Sequence, residues 1–313
     1  MQAWRLHAHI GFGVGSMYEE RFGLKRRPFP PTPDTGLYYP STLHESALAA
    51  LVRGLEDEES FVLLTAEAGA GKTLLAYALL ERLGDKTASA VLTNSHFADR
   101  SALLQAILYD LGLCYDDAKE QTLRLRLTDE LLKNCAAERR TIVIIDEAHH
   151  LDADLLEELR LLANLEAGTG KAVQFVLCAQ PAILDTLKQP SLASLQQRMA
   201  VRSTLGPLVV EEAYDYLLHH LRWAGGKPEK IFDETALETI ARGTHGIPRC
   251  LNQAAHQALV LANEGELPKV DAEAALEALS MLGMESSEPE TETETAPDKD
   301  DGHPNIQNFL RTA

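Results

Sequence analysis

Residues 60–75 read SFVLLTAEAGAGKTLL, and this segment determines the fold of the chain. Residues 61–65 form a short apolar run that predicts one buried strand. A loop of small residues follows, and Lys72 and Thr73 then begin an apolar stretch with helical periodicity. This order of strand, glycine-rich loop, Gly-Lys-Thr and helix is typical of a phosphate-binding loop.

The chemistry of such a loop predicts a role for each of its parts. Successive backbone N–H groups form a concave nest for a triphosphate, and the N-terminus of the following helix adds partial positive charge. Lys72 is predicted to reach the β- and γ-phosphates, and the hydroxyl of Thr73 to bind Mg²⁺. The residues predicted to hold the nucleotide are Glu67, Ala68, Gly69, Ala70, Gly71, Lys72, Thr73 and Leu74.

The loop departs from the full motif at one position. The motif GxxxxGK[ST] begins with a glycine, where this chain has Ala66. Alanine is the smallest substitute but lacks easy access to positive φ, and a loop with Ala66 in an ordinary backbone conformation could still bind phosphate. The alternative interpretation of the segment is a plain turn between a strand and a helix.

Length, charge and cysteines limit the classes of function. The 313 residues suit one large or two smaller domains. The formal net charge is −18, and residues 285–301, with eight acids and one lysine, contribute −7 of it. An acidic chain is a poor candidate for tight sequence-independent binding to nucleic acid, which depends on Lys and Arg. Four scattered cysteines without a CxxC motif favour reduced thiols in the cytoplasm over a disulfide or zinc framework.

The two ends of the chain are expected to lie outside the fold. No stretch approaches the ~18 apolar residues of a membrane span, so no integral membrane segment is expected. Residues 1–16 match a signal peptide poorly and are interpreted as a disordered extension, with Met17 as the functional start. The acidic tail over 284–313 is expected to be disordered. Its last segment, 305–311, is interpreted as inert, with a docking peptide as the alternative.

A strap rich in aromatic residues and prolines precedes the first helix. Residues 22–39 read FGLKRRPFPPTPDTGLYY, and the prolines exclude a helix there. The aromatic residues indicate that the strap packs on the fold, and a helix is predicted over 42–55. Two interpretations are open, because the strap could form part of an adenine pocket or serve only as N-terminal packing.

A second chemical motif lies at 141–147, which reads TIVIIDE. Its β-branched apolar residues predict a strand buried on both faces, as in a parallel sheet. Asp146 at its carboxyl end is expected beside the phosphate loop, where it would hold Mg²⁺, and Glu147 would polarise the attacking water. His149 and His150 follow, and they are interpreted as polar loop residues because no further metal ligand is suitably spaced.

The remaining pattern predicts an α/β domain followed by helices alone. Strands are predicted at 89–93, 173–178 and 200–205, and helices are expected to begin at the caps Ser101 and Asp233. Gln180 follows the second of these strands, where it could sense a γ-phosphate or be a surface residue. Four helices then predict a helical lid. The predicted α/β domain covers 17–206 and includes the strap. The predicted lid covers 207–283, and the predicted tail covers 284–313.

Several separate segments resemble a known family. Five strands with Gly-Lys-Thr and Asp-Glu, followed by a lid that carries an arginine, resemble the AAA+ ATPases. The segments FGLKRRPF, YYPSTLHESALAAL, VLCAQPAIL, LQQRMAVRSTLGPL and GIPRCLNQAAHQAL resemble the ExeA-like family, the general secretion pathway protein A ATPases, which are related to ORC/DEAH-type AAA+ modules. The resemblance covers about 17–282. It implies an α/β P-loop NTPase fold, with a parallel five-stranded sheet, helices on both faces and a small all-α lid.

The resemblance also implies cofactors and further site residues. ATP and Mg²⁺ are the implied cofactors. Gln180 stands at the sensor 1 position and Arg249 at sensor 2, from which it would reach toward the γ-phosphate. Arg198 matches the arginine finger that acts on the ATP of a neighbouring subunit, which implies a homo-oligomer, and Arg202 is the alternative finger. The predicted catalytic residues are therefore Glu147, Arg198, Arg249 and Gln180, and the predicted Mg²⁺ ligands are Thr73 and Asp146.

Two functions compete at this point. The first is a cytoplasmic, oligomeric ATPase that remodels an unknown protein partner, in secretion or cell-envelope assembly. The second is a DNA-associated regulator such as a transposition helper, with a basic face built from Arg124, Arg126, Arg139 and Arg140. An RNA helicase of the DEAH type is rejected because the lid is too short for a second RecA-like domain. A degenerate nucleotide-binding scaffold is disfavoured because the motif lysine and glutamate are both present.

Overall fold

A parallel five-stranded sheet forms the centre of the α/β part of the chain in the computed structural model. The structure describes residues 18–84, 87–116, 119–167 and 170–284, so the predictions for the N-terminal extension and the tail beyond 284 lie outside it. The strands are β1 (Phe61–Ala66), β2 (Thr87–Leu92), β3 (Arg140–Ile145), β4 (Glu166–Ala167), β5 (Gly170–Lys171), β6 (Gln174–Ala179) and β7 (Val201–Leu205). In the sheet, neighbouring strands follow the order β2-β3-β6-β1-β7, and every pairing is parallel.

The helices follow the predicted alternation and then the predicted helical lid. The sheet prediction is confirmed, and the small antiparallel hairpin of β4 and β5 was not predicted. The helices are α1 (Thr42–Glu56), α2 (Lys72–Leu83), α3 (Arg100–Asp110), α4 (Glu120–Ala136), α5 (Ala153–Leu162), α6 (Ile183–Leu187), α7 (Ala193–Gln197), α8 (Val210–Trp223), α9 (Pro228–Ile231), α10 (Glu234–Gly243), α11 (Pro248–Glu264) and α12 (Ala272–Met281).

Both faces of the sheet are covered, which explains the unbroken apolar runs in its central strands. On β1, Phe61 and Leu63 point into a core shared with α3, α4 and α5, while Val62 and Leu64 point into a core shared with α1 and α2. All six residues of β1 are buried. A strand buried on both faces has a nearly continuous run of apolar residues and not an alternation of apolar and polar residues, as expected for a parallel sheet.

The strap packs with the lid helices. Tyr18 and Phe29 are buried in the same core as α8, α10, α11 and α12. The hydroxyl of Tyr18 lies 2.8 Å from Nδ1 of His256, and the ring of Phe29 stacks on His220 at 5.6 Å. Burial lowers the pKa of both histidines to about 4, so both rings are neutral at neutral pH. The strap is therefore held against the lid by buried aromatic contacts.

Some local details differ from the sequence predictions. Asp99, and not Ser101, caps α3, because its carboxylate accepts the Ala102 N–H. Asp233 precedes α10 without a side-chain capping bond, and its carboxylate accepts from Lys269 instead. The lid also contains the short helix α9 besides the four predicted ones. Within the described ranges, no helix combines the length and the apolar character needed to cross a bilayer.

Candidate functional site

The loop between β1 and α2 has the backbone shape expected of an anion nest. Gly69 and Gly71 adopt φ values of 86° and 99°, in the left-handed region that favours glycine. Gly71 precedes α2 without a side-chain cap, so the first N–H groups of that helix can bind an anion. Ala66 is the last residue of β1, where it pairs with Leu205 in ordinary extended backbone. The position of the missing glycine therefore does not require positive φ in this chain.

Lys72 is folded back onto the loop that it follows. Its side chain is 5% exposed, and Nζ donates to the carbonyl oxygens of Ala66 at 2.8 Å and Glu67 at 3.0 Å. A buried ammonium needs such partners because burying a charge without them is costly. A phosphate placed in the nest would be a stronger partner, since hydrogen bonds between charged groups are the strongest ones.

Two oxygen-bearing side chains meet beside the loop. The Thr73 hydroxyl donates to Oδ2 of Asp146 at 2.5 Å, and Oδ1 of Asp146 accepts the N–H of Glu147 at 2.9 Å. Asp146 directly follows β3 and is 5% exposed. A hydroxyl and a carboxylate are the hard oxygen donors that Mg²⁺ prefers. The two residues predicted as Mg²⁺ ligands thus lie together and fit this ion.

Glu147 begins a tight turn that carries its carboxylate to the same pocket as Lys72. Its backbone is left-handed, with φ of 52°, and the 3₁₀ turn Ala148–His150 follows. Oε2 of Glu147 lies 3.4 Å from Nδ1 of His149. The backbone N–H of Gln180, past the end of β6, donates to the same Nδ1 at 3.4 Å. The structure therefore links Gln180 to the Glu147 turn through the His149 ring.

The lid touches the loop at the start of α11. The backbone N–H of Arg249 donates to the carbonyl oxygen of Gly69 at 3.2 Å. A Cβ built on Gly69 would lie 2.8 Å from Cβ of Arg249, so a side chain at this glycine would push the lid away. The Arg249 side chain is exposed and lines the pocket beside the loop.

A pocket of about 410 Å³ lies between the strap, the loop and the lid. This volume is within the range of small-molecule sites. The predicted residues Lys72, Thr73, Glu147 and Arg249 line it, whereas Gln180 and Arg198 are not among its lining residues. Phe29 of the strap packs in the lid core and also borders the pocket, so packing is not its only contact, and the adenine pocket stays a prediction. Further lining residues from the strap and lid include Arg27, Pro30, Pro31, Thr32, Pro33, Asp34, Tyr216, His220, Asn252 and His256.

Helix α1 holds the loop through His44, a residue that belongs to no motif in the sequence. Nε2 of His44 lies 3.0 Å from the Ala70 carbonyl oxygen, and Nδ1 lies 2.7 Å from Oγ of Ser41. A carbonyl can only accept, so Nε2 carries the proton and Nδ1 accepts from the serine hydroxyl. Burial lowers the pKa of His44, which keeps the ring neutral and suited to these roles. The only signal in the sequence was a histidine three residues after the helix cap Ser41.

Replacing His44 by alanine is expected to weaken the ATP binding predicted for the loop about tenfold, or ~1.4 kcal/mol. The change removes the donor that holds the Ala70 carbonyl, and a neutral hydrogen bond contributes ~0.5–1.5 kcal/mol. A His44→Gln variant can still donate from its amide and should recover part of the affinity. Titration with a fluorescent ATP analogue measures both effects. Equal affinity of His44→Ala and the wild type would contradict this positioning role.

The two candidate finger arginines lie near the edge strand β7 and differ in their contacts. Arg202 is exposed, and its guanidinium donates to the carbonyl oxygens of Gln196 at 3.2 Å and Met199 at 3.4 Å. Arg198 caps the C-terminus of α7 and is half-buried. Its guanidinium makes no hydrogen bond or ion pair with the residues that the structure describes.

Comparisons with known proteins agree with this geometry. Residues 55–187 match the family model described as an AAA domain. General secretion pathway protein A of Aeromonas hydrophila is 41% identical over 247 residues, which cover 79% of this chain and 45% of that protein. The chain thus spans about half the length of the curated relative that it matches.

Several solved structures have a similar fold over most of this chain. The ORC2 protein of Aeropyrum pernix, in its ADPNP-ADP complexes, has a TM-score of 0.66 at 18% identity. The match covers 82% of this chain and 71% of the ORC2 chain. Cdc6p of Pyrobaculum aerophilum has a TM-score of 0.65 at 17% identity, with coverages of 80% and 69%. The RuvB Holliday junction branch migration motor of Thermotoga maritima has a TM-score of 0.52 at 17% identity, with coverages of 78% and 68%. At these identities the likeness concerns the fold alone.

Proposed function

The chain belongs to the AAA+ ATPases and is similar to general secretion pathway protein A, and on this premise we propose that it binds and hydrolyses ATP with Mg²⁺ in the pocket described above. One observation carries the assignment of the site. The Thr73 hydroxyl and the Asp146 carboxylate meet at 2.5 Å beside Lys72, although 73 residues separate them in the chain. This arrangement supports a site for the triphosphate and its metal ion.

Each side chain of the site has a role in this proposal. The loop over 67–74 holds the phosphates through backbone N–H groups, and Lys72 exchanges its carbonyl partners for phosphate oxygens. When bound, Mg²⁺ supplies positive charge at the β- and γ-phosphates. Glu147 orients the attacking water with its partly exposed carboxylate. Arg249 responds to the γ-phosphate from the lining of the pocket, and Gln180 responds through the His149 ring and the Glu147 turn.

The position of the pocket supports a switch driven by the nucleotide. The strap and the lid share one hydrophobic core, and both border the pocket together with the phosphate loop. A ligand shifts a conformational equilibrium only by binding one state better than another. ATP would contact all three parts at once, so its hydrolysis changes how tightly the lid is held against the loop.

We further propose that an oligomer of this chain uses the switch to remodel a protein partner in secretion or cell-envelope assembly. The name of the Aeromonas relative supports this process. The four cysteines are free thiols, which suits the reducing cytoplasm where ATP is available. The DNA-associated alternative is weakened because the charge of Arg124 is already paired with the buried Glu158, whose carboxylate accepts from the guanidinium at 2.8 and 2.5 Å.

Capture of the partner in cells tests this proposal. A Glu147→Gln variant is expected to hold ATP without hydrolysing it and therefore to retain its partner, whereas Lys72→Ala should retain none. Mass spectrometry of the two purified samples should identify an envelope or secretion component only with Glu147→Gln. Identical protein sets from both variants, or a salt-dependent mobility shift of duplex DNA by the wild type, would favour the alternative.

A further inference from the structure

The turn after β3 brings together three potential metal ligands that the proposed hydrolysis uses only in part. Glu147, His149 and His150 each offer one ligand atom, and these atoms lie within 4.8 Å of one another. The spacing of the paired histidines in the sequence indicated plain loop residues, because no further metal ligand was suitably spaced. The third ligand is Glu147, two residues earlier in the chain.

The backbone of this turn explains why the side chains converge. A left-handed residue at Glu147 followed by the 3₁₀ turn Ala148–His150 reverses the chain within four residues. Oε2 of Glu147 and Nδ1 of His149 are 3.4 Å apart. Two ligands of a tetrahedral Zn²⁺ ion, with bonds of ~2.0–2.1 Å, are separated by about 3.3–3.4 Å. The first two donors are thus already at the separation that such an ion requires.

The hydrogen-bond pattern gives an independent indication of a cation. Nδ1 of His149 accepts the Gln180 backbone N–H at 3.4 Å, so it carries a lone pair and not a proton. Nδ1 and the Glu147 carboxylate then face each other as two acceptors without a hydrogen between them. A shared cation stabilises this arrangement, and the bond that it displaces is long and therefore weak.

His150 can complete the set. It is exposed, and its ring lies 4.1 Å from the His149 ring and 4.0 Å from the ring of His96, which is also exposed. An exposed imidazole can rotate toward a metal ion at little cost. The fourth coordination position is then available to water or to His96.

We propose that Glu147, His149 and His150 form a site for a transition-metal ion of the Zn²⁺ type, distinct from the Mg²⁺ ligands Thr73 and Asp146, and that a metal ion there inhibits ATP hydrolysis. Imidazole nitrogens select Zn²⁺ and its neighbours in the first transition series, whereas Mg²⁺ prefers oxygen ligands. The inhibition rests on the proposed function of Glu147, because a carboxylate bound to Zn²⁺ cannot orient the attacking water.

Calorimetric titration of the full chain with ZnCl₂, in the absence of nucleotide, tests the site directly. The wild type should bind one Zn²⁺ ion. The His150→Ala variant should bind Zn²⁺ at least about tenfold more weakly, because even the loss of a residue that only supports a metal ligand lowers metal affinity about 10–100-fold. The matched control is His245→Asn, which removes an exposed lid histidine and keeps a residue that tolerates its φ of 50°. Equal affinity and stoichiometry in the wild type and His150→Ala would overturn the proposal.

A second measurement tests the inhibition and keeps it separate from the proposed function. With free Zn²⁺ buffered between the dissociation constants of the wild type and His150→Ala, Zn²⁺ should stop phosphate release from Mg²⁺-ATP by the wild type and His245→Asn but not by His150→Ala. In a separate titration without competing ATP, a fluorescent ATP analogue should bind all three proteins at that free Zn²⁺ concentration. Unchanged turnover by the Zn²⁺-loaded wild type would overturn the inhibitory role. If no preparation hydrolyses ATP, the proposed function is wrong, and the calorimetric result still decides the metal site.

Discussion

Replacing Lys72 by alanine is expected to lower the affinity for ATP by a factor of ~10²–10⁴. The ammonium is the one cationic group built into the phosphate loop, and each hydrogen bond between charged groups contributes ~1.5–3 kcal/mol. Two such bonds, to the β- and γ-phosphates, give this range. Titration with a fluorescent ATP analogue measures the loss. Wild-type affinity in Lys72→Ala would mean that the nucleotide binds elsewhere.

The variant also removes two bonds inside the protein, so it needs controls. Nζ of Lys72 holds the carbonyl oxygens of Ala66 and Glu67 when no phosphate is present. A Lys72→Met variant fills the same volume without the charge, and it should lose ATP affinity equally. A thermal midpoint close to that of the wild type in Lys72→Met would assign the loss to the missing charge and not to a collapsed loop.

At Glu147, in contrast to Lys72, a substitution is expected to preserve ATP binding and to slow ATP hydrolysis. A Glu147→Gln variant should bind ATP like the wild type and hydrolyse it ~10²–10⁴ times more slowly, the usual contribution of a general base. The amide has nearly the same shape, so the turn should be preserved. Impaired ATP binding by this variant would assign Glu147 to the architecture of the turn.

The strongest local signals in the sequence predicted the sheet and the phosphate loop. The strands β1 and β3 were predictable because strands buried on both faces consist of unbroken apolar runs. Gly71 was identifiable because a left-handed residue before a helix favours glycine, and Lys72 because it directly follows that glycine in the Gly-Lys-Thr motif. The pairing of Asp146 with Thr73 followed from the rule that carboxyl ends of parallel strands meet at one edge.

Contacts between distant segments were not accessible in the same way. The bond from His44 to the Ala70 carbonyl depends on how α1 crosses the loop, and a single histidine in an apolar helix carries no sign of its partner. The strap contains aromatic residues that predict packing but not its target, which proved to be the lid core. Periodicity describes one element at a time, whereas these contacts depend on the packing of several.

Hydrolysis is expected to require an oligomer, and Arg198→Ala should bind ATP normally yet be almost inactive. The pocket already contains Lys72 and Arg249, while Arg198 lies away from it at the end of α7. Its guanidinium has no hydrogen bond or ion pair among the described residues and is therefore available to a neighbouring subunit. An arginine supplied in this way contributes ~10³–10⁵ in rate in other nucleotide hydrolases.

Arg202 provides the matched control for this prediction. Its guanidinium is bound to carbonyl oxygens of its own chain, so Arg202→Ala should keep most of the activity. Phosphate release per subunit, measured across a range of protein concentrations with light scattering in parallel, should rise as the wild type assembles. The reverse ranking of the two variants would identify Arg202 as the finger.

Mixing two inactive variants distinguishes a finger that acts between subunits from one that acts within a subunit. Arg198→Ala retains Glu147, and Glu147→Gln retains Arg198, so one kind of mixed interface combines an intact site with an intact finger. The mixture should therefore recover part of the wild-type turnover, whereas a mixture of Lys72→Ala and Glu147→Gln should recover none, since neither of its subunits both binds and hydrolyses ATP. No recovery in the first mixture, together with activity per subunit that is independent of concentration, would make Arg198 a structural residue of its own chain.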